Sequence, residues 1–238
     1  MKLSRSTAES HSFVLEEDDL RKICDNLSRF FATVYITAKC SDKLDREFTS
    51  ADELLGFANP ARSAIQELSI RARDTEWKKS FSLSLANKHY ANVYVSIEAD
   101  NESAPELNSL ADDAIESMRP WFSWIARVDW YWLVFQIWML WWTGFILLAL
   151  VLHGDRQIIL GGAGAIRTHA LLRGIIIGLM PTLAGLALNL VRNRFFPVGT
   201  FAIANGKARH VQNEVIRTVI IVGMAISVIT SAIFYAIG

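Results

Sequence analysis

The sequence is short of cysteine and of recognisable catalytic motifs. Two cysteines in 238 residues, Cys24 and Cys40, exclude a disulfide-built scaffold. With no CxxC and no Cys/His cluster at zinc spacing, they offer no structural metal site either. The first residues, MKLSRSTAESHS, contain no apolar run of the kind a secretory signal needs, so the thiols are expected to stay reduced. Their Ser and Thr content reads as a flexible tail over residues 1–12. The five histidines, His11, His89, His153, His169 and His210, form no HExxH pair. There is no GxSxG and no GxGxxG after a strand, and Gly206-Lys207 lacks the rest of a P-loop. Asp18-Asp19 and Asp112-Asp113 are most simply solvated charge on helix faces. No catalytic, cofactor-binding or metal-binding residue follows from these patterns, and no enzyme assignment.

A formal net charge of zero conceals two unlike halves. Residues 1–120 hold 15 Lys and Arg against 21 Asp and Glu, whereas residues 121–238 hold 9 against 3. The acidic half has little attraction for nucleic acid. The basic half carries its charges between apolar runs, as membrane flanks do. Seven of the eight tryptophans fall between Met118 and Leu152. The chain therefore divides into an α+β head over residues 13–118 and a membrane domain over 119–238.

In the head, Leu20, Ile23, Leu27 and Phe30 recur at helical spacing behind an acidic first turn, predicting a helix over Glu16–Phe30. Phe31–Cys40 reads as a strand, Glu47–Thr49 as a short return strand, and Ser50 with Glu53 as a capping box that starts a short helix ending near Asn59-Pro60. Strands are expected near 63–73, 79–86 and 90–99, with a hairpin loop at Asn87-Lys88-His89. Phe81, Leu83 and Leu85, then Val93, Val95 and Ile97, point inward, with Asn92 outward. A helix over Ser103–Met118 completes an antiparallel sheet with helices on one face.

In the membrane half, Arg119-Pro120 reads as a hinge and 120–129 as a helix at the lipid headgroups, anchored by Trp121, Trp124, Trp130, Trp132 and Arg127. Ser123 falls away from its apolar face. Three spans follow, over 130–152, 174–191 and 218–237, forming an all-α bundle of about three helices. The second is short, and a re-entrant path remains open for it. Trp138, Trp141 and Trp142 form either a packing face with Phe145 or a boundary that starts the first span near Ile137. Gly174 with Gly178, and Gly223 with Ser227 and Ser231, have the spacing that lets helices approach closely and favour an oligomer. Gln136, Asn189, Pro181 and Thr182 suit interhelical hydrogen bonding more than a pore. The basic loop, with Arg192, Arg194, Lys207, Arg209 and His210, reads as an interfacial anchor or an anionic-lipid site. Basic flanks and the absence of a signal place the head in the cytoplasm, on a multi-pass protein of the cell (inner) membrane.

The function these patterns favour is a sensor–effector: a head that binds a small molecule or cytoplasmic protein, coupled to an oligomerising bundle that opens a pore or perturbs the bilayer. The alternative is a non-conducting anchor or accessory subunit that recruits a cytoplasmic partner.

Overall fold

A computed structural model describes residues 2–75, 79–88, 92–153 and 168–237. Its chain falls into two units, Met1–Arg127 with Phe195–Gly238, and Val128–Arg194.

The first unit is built on a six-stranded antiparallel sheet. In chain order its strands are β1 (Lys2–Glu9), β3 (Thr33–Cys40), β4 (Asp45–Phe48), β5 (Ile65–Arg73), β6 (Ser80–Ala86) and β7 (Val93–Asp100). Across the sheet they run β1-β7-β6-β5-β3-β4. Period-two alternation puts Phe81, Leu83 and Leu85 of β6 beside Val93, Val95 and Ile97 of β7, and all six are buried. Each such side chain contributes about 1.5–3 kcal/mol when fully removed from water. Against that face lie α1 (Glu17–Phe30), through Leu20, Ile23 and Leu27, and α3 (Ala104–Ser117), through Leu107, Ala111 and Ile115. The opposite face is open, with Tyr35 and Tyr94 exposed. The short α2 (Ala51–Gly56) starts as its capping spacing requires: Glu53 N–H donates to Ser50 Oγ at 3.2 Å. The reciprocal arm has slipped one residue, since the Glu53 carboxylate accepts from Thr49 N–H at 2.7 Å.

Three expectations need correction. Residues 1–12 are not a tail. Lys2–Glu9 pairs along its length with Val93–Asp100, and Phe13–Glu16 forms a further strand, β2. A strand needs only an edge to pair with, and polar side chains suit an edge: Arg5 reaches Asp112 at 2.7 Å and Ser6 Oγ meets Tyr94 Oη at 2.8 Å. Asn92 does not face outward. It is buried, and its Nδ2 donates to the His11 carbonyl. The head also does not end at residue 118. Strand β8 (Gly199–Ala202) pairs in parallel with β2, and Phe201 and Ile203 sit in the same core as the sheet residues. The stretch expected as an interfacial loop between spans is thus core and backbone of the head.

Two more helices complete this unit. The short α4 (Ser123–Arg127) replaces the longer 120–129 helix; it buries Ser123 and Ala126, and Ala126 packs in a small cluster with Phe122, Val14 and Phe196. The last, numbered α7 after the two helices of the second unit, is Asn205–Ile237, 33 residues long. Among the described residues one stretch, Asn205–Ala232 within α7, is long and apolar enough to cross a membrane by length and composition. Val219, Ile226, Val228 and Phe234 are all exposed along it.

The second unit is a helix pair, α5 (Trp130–His153) and α6 (Thr168–Phe195). The start of one meets the end of the other: Trp130 N–H donates to Asn189 Oδ1 at 3.1 Å, Asn189 Nδ2 to Asp129 Oδ1 at 3.1 Å, and Arg192 to the Val128 carbonyl at 2.6 Å. Gly185 lets the backbones approach closely, since a Cβ there would lie 2.9 Å from Tyr131 Cα. Tryptophans form a ladder along α5, with Trp132 against Phe135, Phe135 against Trp138, and Trp138 against Trp142 at 6.0 Å. His89, the Ile158–Leu160 run, the Gly161–Gly164 tract and the side chain of Phe145 lie outside the described residues.

Candidate site at the base of the last helix

Residues from four distant parts of the sequence converge where α7 joins the head. Asn59 is the first fastening point. It is 1% exposed, has φ 45°, and accepts from Ile65 N–H on Oδ1 at 3.1 Å. Its Nδ2 donates to the Ile203 carbonyl at 3.3 Å, while its own carbonyl accepts from Arg209 at 2.8 Å. Asparagine tolerates left-handed backbone better than other branched or bulky residues, so one side chain can turn the chain ahead of Pro60 and still hold β8. Gly206 packs on top: a Cβ there would lie 2.2 Å from the Phe201 carbonyl oxygen. Ala204 N–H donates to the Glu17 carboxylate at 3.2 Å, tying the turn before α7 to the start of α1.

Phe122 is the second fastening point. Its ring lies edge-on to Phe196 at 5.8 Å and to Trp121 at 5.7 Å, and the guanidinium of Arg217 sits 4.2 Å over it. Arg217 is fully buried, and its Nε donates to the Phe195 carbonyl. Its two terminal nitrogens have no partner among the described residues. A buried guanidinium so sparsely bonded is costly, and the ring face and the Glu214 carboxylate offset part of that cost.

Beside these contacts lies a cavity of about 310 Å³, walled by Glu16, Asp19, Arg119, Trp121, His210 and Glu214. A smaller hollow of about 120 Å³ shares Glu16, His210 and Glu214 and adds Glu17, Asp18 and Lys207. Local structure explains the convergence. Glu16 ends β2 in extended conformation and makes no side-chain cap to α1. Asp19 is one of three acids favoured in the first turn by the helix dipole. His210 and Glu214 stand one turn apart on α7, with His210 Nε2 3.7 Å from the Glu214 carboxylate. Among the described residues neither Glu16 nor Asp19 has a Lys or Arg partner. Also among them, no three of His, Cys, Asp and Glu stand close enough to hold a metal ion.

The residues expected to matter are scattered by comparison. The Arg119-Pro120 hinge is pinned: Val14 N–H donates to the Met118 carbonyl at 2.8 Å and Ser123 N–H to the Pro120 carbonyl at 3.0 Å. Ser123 is buried and accepts from Ser12 N–H at 3.1 Å, because the N-terminal segment covers it. Trp121, Trp124, Arg127 and Trp132 are exposed and Trp130 is half-buried. Gln136 and Trp141 are exposed and Trp142 is half-buried on α5, whereas Asn189 bonds across the helix pair. Gly223, Ser227 and Ser231 are exposed; the surroundings of Gly174 and Gly178 lie outside the described residues. Of the basic loop, Arg192 belongs to the helix pair, Arg194 and Lys207 are exposed, Arg209 holds Asn59, and His210 is buried in the cavity wall. Sequence reasoning missed Asn59, Phe122 and Arg217. The available signal was the seven-residue spacing of His210, Glu214 and Arg217, which places all three on one face of α7.

Compared with protein-family models, with curated proteins and with solved structures, the chain matches none.

Proposed function

We propose that this chain is an integral membrane protein of sensor–effector type. Its α+β head lies in the cytoplasm, against a cell (inner) membrane, and binds a small molecule or protein. The state of the head passes through α7 to an oligomeric bundle of about three spans, 130–152, 174–191 and 218–237, which opens a pore or perturbs the bilayer. The observation that carries this reading is the single unbroken helix α7, whose first turns are fastened to the head by Asn59, Gly206 and Phe122 while the described side chains beyond Ile221 are mostly apolar and exposed. A helix bends little without a proline or a break, so movement at its fastened end moves the whole rod. Pro181 lies in α6, and α7 has no proline. The exposed Gly223, where nothing lies within 4 Å of an added Cβ, leaves room for a second copy on that face.

The pinned Met118–Ser123 segment favours a second reading, a rigid mount that anchors a partner without moving. Dye release from vesicles carrying the full chain separates the two. Release that depends on the head, and is lost when Gly206→Ala loosens the base of α7, supports the effector. Vesicles that stay tight under every head ligand and variant refute it and leave the anchor.

A further inference from the structure

We infer that the open face of the six-stranded sheet is a homodimer interface, on which two copies of this chain stack their sheets about a two-fold axis running along β6. This goes beyond the reading above, because the contact lies in the head and does not depend on what the spans do. The antiparallel register sorts the outward residues into rows across the strands, each centred on a serine of β6. In the middle row Ser82 is flanked by Ser96 and Ser6 on the β1 side, and by Arg71 and Tyr35 on the β4 side. Ser84 lies between Tyr94 and Ser69, and Ser80 between Glu98 and Arg73. Tyr35, Arg71, Arg73, Tyr94 and Glu98 are all exposed.

A half-turn about β6 lays each row on its own reverse. Tyr35 of one copy then stands over Ser6 of the other, Arg71 over Ser96 and Tyr94 over Ser69, so a long side chain meets a short one each time. Arg73 stands over Glu98, twice in the pair. The β6 serines meet themselves on the axis, which hydroxyls allow because each is both donor and acceptor. Tyr94 leans toward Ser6, its Oη 2.8 Å from Ser6 Oγ, so the incoming Tyr35 finds an aromatic ring beside the serine. An axis across the strands through Ser82 would instead stack Arg71 on Arg71 and Tyr35 on Tyr35. An ordinary solvated face has no reason to match large with small and positive with negative about one line. Stacked sheets lie about 10 Å apart with strands within about 30° of each other, so the correspondence holds near the axis. Five strands about 4.8 Å apart and about 27 Å long present roughly 650 Å² per copy, or about 1,300 Å² in the pair, inside the range of specific protein interfaces.

Thiol crosslinking of the full chain in neutral maltoside micelles tests this, in a Cys24→Ser background and with a short bifunctional methanethiosulfonate as the probe. The buried Cys40 reports folding through its protection from the reagent. Ser82→Cys, on the axis, should give covalent dimers. Ser6→Cys should give few, although Ser6 is the more exposed, because its two copies stand four strand spacings apart, about 19 Å. Added to Ser82→Cys, either Glu98→Arg or Arg73→Glu sets like charges against each other twice and should cut the dimer yield about tenfold. Mixing the two charge variants restores both pairs across the interface, so the yield should return, which charges paired only within one chain would not bring about. The proposal is overturned by a yield at Ser82 no greater than at Ser6, by charge variants that keep the full yield, or by a mixture that stays low while Cys40 stays protected. If a charge variant loses that protection, the comparison of Ser82 with Ser6 decides. Ser82 dimers in vesicles that stay tight under every condition keep the head pair and refute the effector, whereas head-dependent dye release from chains that give no Ser82 dimers does the reverse.

Discussion

Asn59 is the residue whose loss should most clearly separate α7 from the head. Replacing it with alanine removes the acceptor for Ile65 N–H and the donor to the Ile203 carbonyl, both in buried surroundings. Each buried group left unpaired costs about 1–3 kcal/mol. Alanine must also take the φ of 45° that asparagine accepts more readily, adding roughly 1 kcal/mol. Asn59→Ala should therefore destabilise the head by about 3–7 kcal/mol, a large share of the stability of a domain this size. Asn59→Gly loses the same bonds without the strain, so it should be about 1 kcal/mol less damaging than alanine. Cys40 provides the assay, because it is a free thiol in the core, opposite Ile65 in the sheet. In a Cys24→Ser background, the urea dependence of Cys40 labelling in micelles reads unfolding of the head directly. Burial and the neighbouring Asp25 push the Cys24 thiol up to about 11, so it labels slowly but would still complicate the signal. A cost under about 1 kcal/mol for Asn59→Ala, or a glycine variant worse than alanine, would refute the hydrogen-bond argument.

Other perturbations test neighbouring parts. Phe122→Ala leaves a cavity and strips the ring from a buried guanidinium, for an expected loss of about 3–5 kcal/mol. Arg217→Met replaces that charge with an apolar chain of similar length and should be far milder, even stabilising; if chemical denaturation ranks the two in the opposite order, the terminal nitrogens of Arg217 have partners that the packing does not show. Gly206→Ala drives a methyl into the Phe201 carbonyl and should cost about 1–3 kcal/mol, read by the same thiol labelling. Asp100 accepts from Ser103 N–H at 3.0 Å and from its hydroxyl and pairs with Lys79 at 3.2 Å; the Ser103 bonds, then Lys79, hold its carboxyl down at about 2. Its folded value is depressed, so its contribution is present above about pH 4 and is lost as pH falls toward 2. Asp100→Asn should lower stability at neutral pH and flatten melting temperature against pH across that window; an unchanged acid limb would count against it.

The parts of this fold that could be read in advance are those whose signals are local. Alternation in β6 and β7 and helical spacing in α1 and α3 concern residues within a few positions of one another, and the burial follows them. Strand β1 has a single large apolar residue, Leu3, which is itself 40% exposed, so no hydrophobic pattern marks it; its partner strand does. Strand β8 is four residues long inside an apolar, glycine-containing stretch that looks like a loop near lipid, and its partner lies at the other end of the chain. The site was hidden for the same reason. Arg217 counts as a flanking charge until Phe122 and Phe195 are brought around it, and Glu16, Asp19 and Glu214 look like ordinary solvated acids until α7 closes on α1.

The parallel pairing of β2 with β8 carries a consequence for how the molecule is made. Its first strand precedes β3 to β7 in the chain, and its second follows only after both helices of the pair have been synthesised. At translation rates of roughly 5–20 residues per second, the ~80 residues between Arg127 and Gly206 take about 4–16 s. Through that interval Phe13 and Leu15 wait without the strand and core residues that cover them, and the head is a nascent domain with an open seam. A chaperone that meets the nascent chain therefore meets an unfinished head, and its last stitch is the emergence of residues 199–206.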